Sequence, residues 1–192
     1  TGPTGPTFTN TRSLSFDGTD DHTRLSSTIS LSGTFTLSAW VKPAVLSSNN
    51  TNIIGIEASN TNKIGIRSAS EVQVKLGGSA NHVITGDGSN NFTTGAWQHI
   101  LVVRVVNSNV TAFRNGVAFG SPVSTGTQTA TFNNIGRFNT VNYSEYGLDE
   151  VAIFDTDQSS NISSIYNSGI PGDLSSLSPL HWYRFEEGSG TT

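Results

Sequence analysis

The chain of 192 residues has no cysteine. That excludes a disulfide framework and any thiolate metal site, and it leaves the redox compartment unread. Methionine is absent too, so the chain reads as a piece of a longer protein or one whose start was processed. Charge is scarce: Asp, Glu, Lys and Arg make up 12% of the chain, with a net charge of −4. No cluster of Lys or Arg is present to displace counterions from phosphates, which excludes nucleic acid as a partner. No apolar run approaches the roughly 18 residues that a bilayer span requires.

What is present points to strands. Apolar residues, at 34%, suffice for the core of one domain. The abundant Gly, Ser, Thr and Asn favour short strands joined by polar turns. Residues 1–7 repeat Gly-Pro-Thr in the register of a collagen-like triple helix. They are expected to be a collagen-like stalk, which would make the parent a homotrimer, or a Pro/Gly linker. Arg12 to Phe16 alternates as a strand, and Asp17-Gly18-Thr19-Asp20-Asp21 turns the chain. Thr34 to Lys42 places Phe35, Leu37, Ala39 and Val41 on one face and Trp40 on the other, and Pro43 stops it. Strands are also predicted at 52–56, 63–67 and 72–76, at 95–104, at 110–114 and at 133–137. Asn115-Gly116 is a hairpin signal, because both residues accept positive φ. Gly147 to Phe154 carries Asp149 and Glu150 amid apolar residues; alternation sets Glu150 opposite Asp149, in line with Leu148, Ala152 and Phe154. A buried Glu150 needs a partner, for which Arg24, Arg104 and Arg137 are the candidates. Gln158 to Gly169 changes to helical period, with Ser159 or Ser160 as cap and Gly169 at the C′ position. Leu180 to Phe185 reads as a last strand. The fold class is therefore all-β, a two-sheet antiparallel sandwich with one short helix near its C-terminal side.

Ser13 to Gly18 with Asp20-Asp21, Phe35 to Val41, Gly95 to Ile100, the Asn115-Gly116 hairpin, Gly147 to Val151 and Tyr166 to Gly169 occur in the order of laminin-G-like domains. The chain thus resembles the concanavalin A-like lectin/glucanase jelly rolls over residues 12–170. The domain is expected to span 8–178, with 179–192 as its closing strand or the opening of a following module. Members of the family often carry one structural Ca²⁺ between the first turn and the late acidic strand. The resemblance therefore implies Asp17, the Gly18 carbonyl, Asp21 and Asp149 as ligands, with Asp20 a further candidate. Glycosidases of this fold place two acids at i and i+4 on one strand; here Glu150 is followed by Val151, Ala152, Ile153 and Phe154, so no enzyme is expected. The histidines, His22, His82, His99 and His181, have no zinc spacing. A loop of aromatics and amides, with Phe138, Asn142, Tyr143 and Tyr146, is the candidate glycan site. Joined to a Gly-Pro-Thr stalk, the domain looks like an extracellular or virion-surface module of a phage fibre or bacterial surface protein. Its expected partner is a cell-surface glycan or a neighbouring virion or surface protein. The alternative is a purely structural decoration of a capsid, tail or fibre, and glycoside hydrolysis is a remote third.

Overall fold

The computed structural model describes residues 8–47, 51–57, 59–78 and 80–187. The Gly-Pro-Thr segment at 1–7 lies outside them. The strands are β1 (Leu14–Asp17), β2 (Thr23–Leu31), β3 (Phe35–Pro43), β4 (Asn52–Gly55), β5 (Lys63–Ser68), β6 (Glu71–Leu76), β7 (Ala80–Thr85), β8 (Gln98–Val105), β9 (Asn109–Arg114), β10 (Val117–Ser124), β11 (Ala130–Ile135), β12 (Arg137–Phe138), β13 (Asn142–Tyr143), β14 (Glu145–Phe154) and β15 (His181–Tyr183), with the helix α1 (Ile162–Tyr166) before β15. One sheet runs β1-β14-β3-β8-β9-β10 with β15 also on β14, and the other runs β2-β11-β4-β5-β6-β7; β12 and β13 form a small hairpin. All pairings are antiparallel. The expected sandwich is the observed one.

Alternation builds the core. Leu37, Ala39, Val41, Ile100 and Val102 from the first sheet meet Ile64, Ile66, Val72, Val74 and Phe132 from the second, all buried. The first sheet also has an apolar outer face. There Leu101, Val103, Ala152 and Phe154 are covered by Ile165 of α1 and by Leu174, which is why β8 is apolar on both sides. Asn115 (φ 51°) and Gly116 (φ 76°) make the expected hairpin between β9 and β10. The helix departs from expectation at its caps. Neither serine caps it; Asp157 Oδ1 accepts from the Ser159 N–H, and the left-handed turn begins at Asn167 (φ 46°), before Gly169. The strand expected at 133–137 is two strands, because Gly136 (φ 84°) breaks the run between β11 and β12.

β14 is the organising strand. Its first half pairs with β1 (Leu14↔Leu148 to Asp17↔Glu145) and its second half with β15 (Val151↔Tyr183 to Ile153↔His181), while β3 lies along its other edge. Between the two halves the register with β3 slips, from Asp149 to Ala152, and Glu150 adopts φ 48°. This bulge corrects the alternation read from the sequence. Leu148 faces the core, but after the extra residue Val151 and Ile153 do so, and Ala152 and Phe154 face outward.

Candidate functional site

The bulge sits where neither β1 nor β15 covers β14, and other groups fill that gap. Asn10 Nδ2 donates to Asp149 Oδ2 and to Glu150 Oε1, both at 3.0 Å. Positive φ at Glu150 thus brings both acids to one amide, where strict alternation would have parted them. Trp182 Nε1 donates to Glu150 Oε2 at 2.5 Å, and Arg184 Nε lies 3.4 Å from Oε1. The partner of Glu150 is therefore Arg184. Arg104 is spent on the carbonyls of Ser32, Gly33, Gly126 and Gln128, and Arg24 and Arg137 both pair with Glu57. Burial pushes the Asp149 carboxyl up to about 6, against the bond from Asn10. Burial also pushes Glu150 up to about 7, with the bond from Trp182 opposing and repulsion from Asp149 adding. The N-terminal segment is latched over this pair. Phe8 stacks on Trp182, Arg184 lies 4.4 Å over the Phe8 ring, and Glu186 Oε1 accepts from the N–H groups of Thr11 and Arg12.

Beside the latch, Trp97 stands out. It leads into β8, is 42% exposed, and lies against Gly147 of β14. A Cβ at Gly147 would come within 3.1 Å of the indole, so glycine is what lets the ring rest on the strand. Trp97 is shared by two cavities. One, of about 530 Å³, is flanked by Ser15, Asp17, Lys42 and Glu145. The other, of about 350 Å³, is flanked by Asn10, Arg12, Trp40 and Asp149. An exposed aromatic face between two sets of converging polar groups is the usual makeup of a small-ligand site. Asp17 and Asp149, both expected as metal ligands, therefore lie in neighbouring cavities on either side of this ring.

They do not lie together. Asp17 is in register with Glu145, four residues along β14 from Asp149, which at a strand's rise is about 13 Å. What the turn assembles is Asp17, Asp20 and Asp21, exposed, with one carboxylate oxygen from each within 4.8 Å of the others. Asp21 Oδ2 accepts from the Asp17 N–H and Asp17 Oδ1 from the Thr19 N–H, and Gly18 turns the chain with φ 80°. Three hard oxygen donors on one turn suit Ca²⁺. Asp149, held by Asn10, stands apart from them.

The aromatic loop divides because neighbouring residues of a strand point to opposite faces. Phe138 and Asn142, opposite each other in the β12–β13 hairpin, line a separate cavity on the second sheet. Tyr143 turns the other way; its hydroxyl accepts from Arg137 Nη1 at 3.2 Å and its ring meets His22 edge-on. Tyr146 is a core residue, packed on Phe16 with its hydroxyl donating to the Asn52 carbonyl at 2.7 Å. Of the histidines, His99 is fully buried between Trp40 and Tyr166, and desolvation holds its imidazole down at about 3.

The family model described as the concanavalin A-like lectin/glucanases superfamily matches residues 17–161. No curated protein sequence matches the chain. Among solved structures, a heptameric SAP-like pentraxin from Limulus polyphemus superposes with a TM-score of 0.62 at 18% identity, covering 79% of this chain and 80% of that one. A carbohydrate-binding protein of Bacteroides ovatus, itself assigned that role only provisionally, gives 0.62 at 17% identity; 90% of this chain covers 52% of that one. The chain spans about half the length of that protein. The binding domain of botulinum neurotoxin DC, solved with rat synaptotagmin II, gives 0.51 at 15% identity, covering 81% and 46%. At these identities the likeness is one of fold.

Proposed function

Because the chain belongs to the concanavalin A-like lectin/glucanase superfamily, we propose that it is a non-catalytic binding module that takes a cell-surface glycan against Trp97. The observation that carries this reading is the exposed indole, resting on Gly147 between two polar-flanked cavities. A sugar ring offers C–H groups to an aromatic face and hydroxyls to the surrounding amides and carboxylates. Neighbours of this fold include a provisionally assigned carbohydrate-binding protein and the binding domain of a neurotoxin, which supports a binding role. The two adjacent acids do not argue for hydrolysis. Glu150 is buried, lines neither cavity, and is held by Asn10, Trp182 and Arg184; a general acid must reach its substrate.

Ca²⁺ belongs to the same reading, on Asp17, Asp20 and Asp21, as a structural ion beside the larger cavity. Asp17 both contributes to the cluster and lines that cavity, so the ion would set one wall of the site. The setting we propose is extracellular, as a module of a phage fibre or bacterial surface protein, trimeric if residues 1–7 continue into a collagen-like stalk. Among the described residues no helix is long and apolar enough to cross a membrane.

A binding screen of the full chain against bacterial cells tests the reading. The expected result is retention on some strains and loss of retention in Trp97→Ala, with an unchanged melting temperature. Retention that ignores Trp97→Ala would overturn the assignment of the site.

A further inference from the structure

The chain has ten Lys and Arg against fourteen Asp and Glu, yet Lys63, Arg67 and Lys75 meet at one cavity of about 310 Å³ on the outer face of the second sheet. The alternation that sends Ile64, Ile66, Val72 and Val74 into the core turns these cations outward together with Gln73. Lys63 stands directly opposite Lys75 in the β5–β6 register. Like charges in that relation are destabilising, and no carboxylate among the described residues lines the cavity. Glu71, on β6, lies 3.6 Å from Arg67 in a partly exposed contact. Both ammonium groups lie over the Phe138 ring, at 4.4 and 6.0 Å. Burial, with repulsion from Lys75 and Arg67, brings the Lys63 ammonium down to about 8; an anion between the two lysines would relieve both effects.

Two further features complete the cavity. Gln73 Nε2 donates to Asn81 Oδ1 at 2.6 Å, while its Oε1 is buried with no hydrogen-bond partner among the described residues. An acceptor left without a donor is costly, and a hydroxyl would satisfy it. The rim is fixed in advance, since Asn139 Oδ1 accepts from the N–H groups of Val141 and Asn142.

We propose that this cavity binds an anionic sugar unit, its carboxylate or sulfate between Lys63 and Lys75 and a hydroxyl on Gln73 Oε1. The assignment rests on the glycan-binding reading but places a second subsite away from Trp97. It uses Phe138 and Asn142, which the sequence marked as ligand-binding, with a cationic wall that the sequence did not mark.

The test is an NMR titration of the ¹⁵N-labelled full chain with glucuronate, glucose 6-sulfate, glucose and inorganic sulfate. The expected result is movement of the Gln73, Lys75 and Asn142 signals with one or both anionic sugars while the Trp97 indole stays still. Glucose and inorganic sulfate should bind about tenfold or more weakly, and Lys75→Gln should cost about tenfold in affinity, the loss of one close charge contact. Its melting temperature should hold or rise as the lysine repulsion is removed, which separates a lost contact from a lost fold. No movement with either anionic sugar at millimolar concentration, equal binding of inorganic sulfate, or full affinity in Lys75→Gln would each overturn the proposal. Movement of the Trp97 indole alone would overturn this subsite and leave the glycan-binding reading standing.

Discussion

Glu150 shows how much one backbone angle decides. At φ 48° it brings its carboxyl to the amide that also holds Asp149, and burial makes both acids easier to protonate in the folded chain than in the unfolded one. The folded state then binds more protons, so these groups take stability away as pH rises. For Glu150 the window runs from its ordinary value of 4.5 to about 7. Glu150→Gln should therefore gain about 3 kcal/mol of stability relative to the parent between pH 4 and pH 8, with a flatter dependence between those limits. Denaturant unfolding across that range reads both; an unchanged slope would contradict the assignment. At the acidic turn, added Ca²⁺ should raise the melting temperature and EDTA should reverse the gain, while Asp21→Asn should abolish the response. A calcium response that survives Asp21→Asn would place the ion elsewhere.

Among the elements, the strands differ in how plainly the sequence shows them. β3, β6 and β14 were legible because a buried strand must alternate, or be apolar on both sides. β2, β7 and β10 were not. All three are sheet edges, where few side chains need burial: β2 hides only Leu25, Ile29 and Leu31 among nine residues rich in Ser and Thr. β10 carries Gly120 and Pro122 in its run, ordinarily marks against a strand. The structure explains that glycine. Gly120 has φ 65°, and a Cβ there would meet the Thr85 carbonyl oxygen at 2.1 Å, where β10 at the edge of one sheet passes β7 at the edge of the other. A backbone atom cannot step aside as a side chain can. Gly120→Ala should cost about 2 kcal/mol or more in thermal or denaturant unfolding, and a neutral substitution would mean that the two edges are not in close contact.

Over the whole molecule, the resemblance of residues 12–170 was enough to give the sandwich, but not the site. Trp97 was visible in the sequence as part of a strand; its role depends on Gly147, fifty residues away, and on β1 running past both. Lys63 and Lys75 are twelve residues apart and form no cluster in the sequence; only the β5–β6 register sets them face to face. Asp17 and Asp149, brought together by the family resemblance, do lie on neighbouring strands, but four residues out of step. The segment expected to close this domain or open another places β15 on β14 and holds residues 9–12 through Arg184 and Glu186, so both ends of the described chain converge on the bulge beside the proposed site.

The measurement that bears most directly on this assignment is a glycan array probed with the full chain, in Ca²⁺ and in EDTA, beside Trp97→Ala. We expect a restricted set of glycans to bind in Ca²⁺, weaker binding in EDTA, and loss of the neutral glycans from that set in Trp97→Ala at an unchanged melting temperature. Silence of the parent chain across the array, or an identical pattern from Trp97→Ala, would contradict it, and the structural role in a fibre or capsid would take its place.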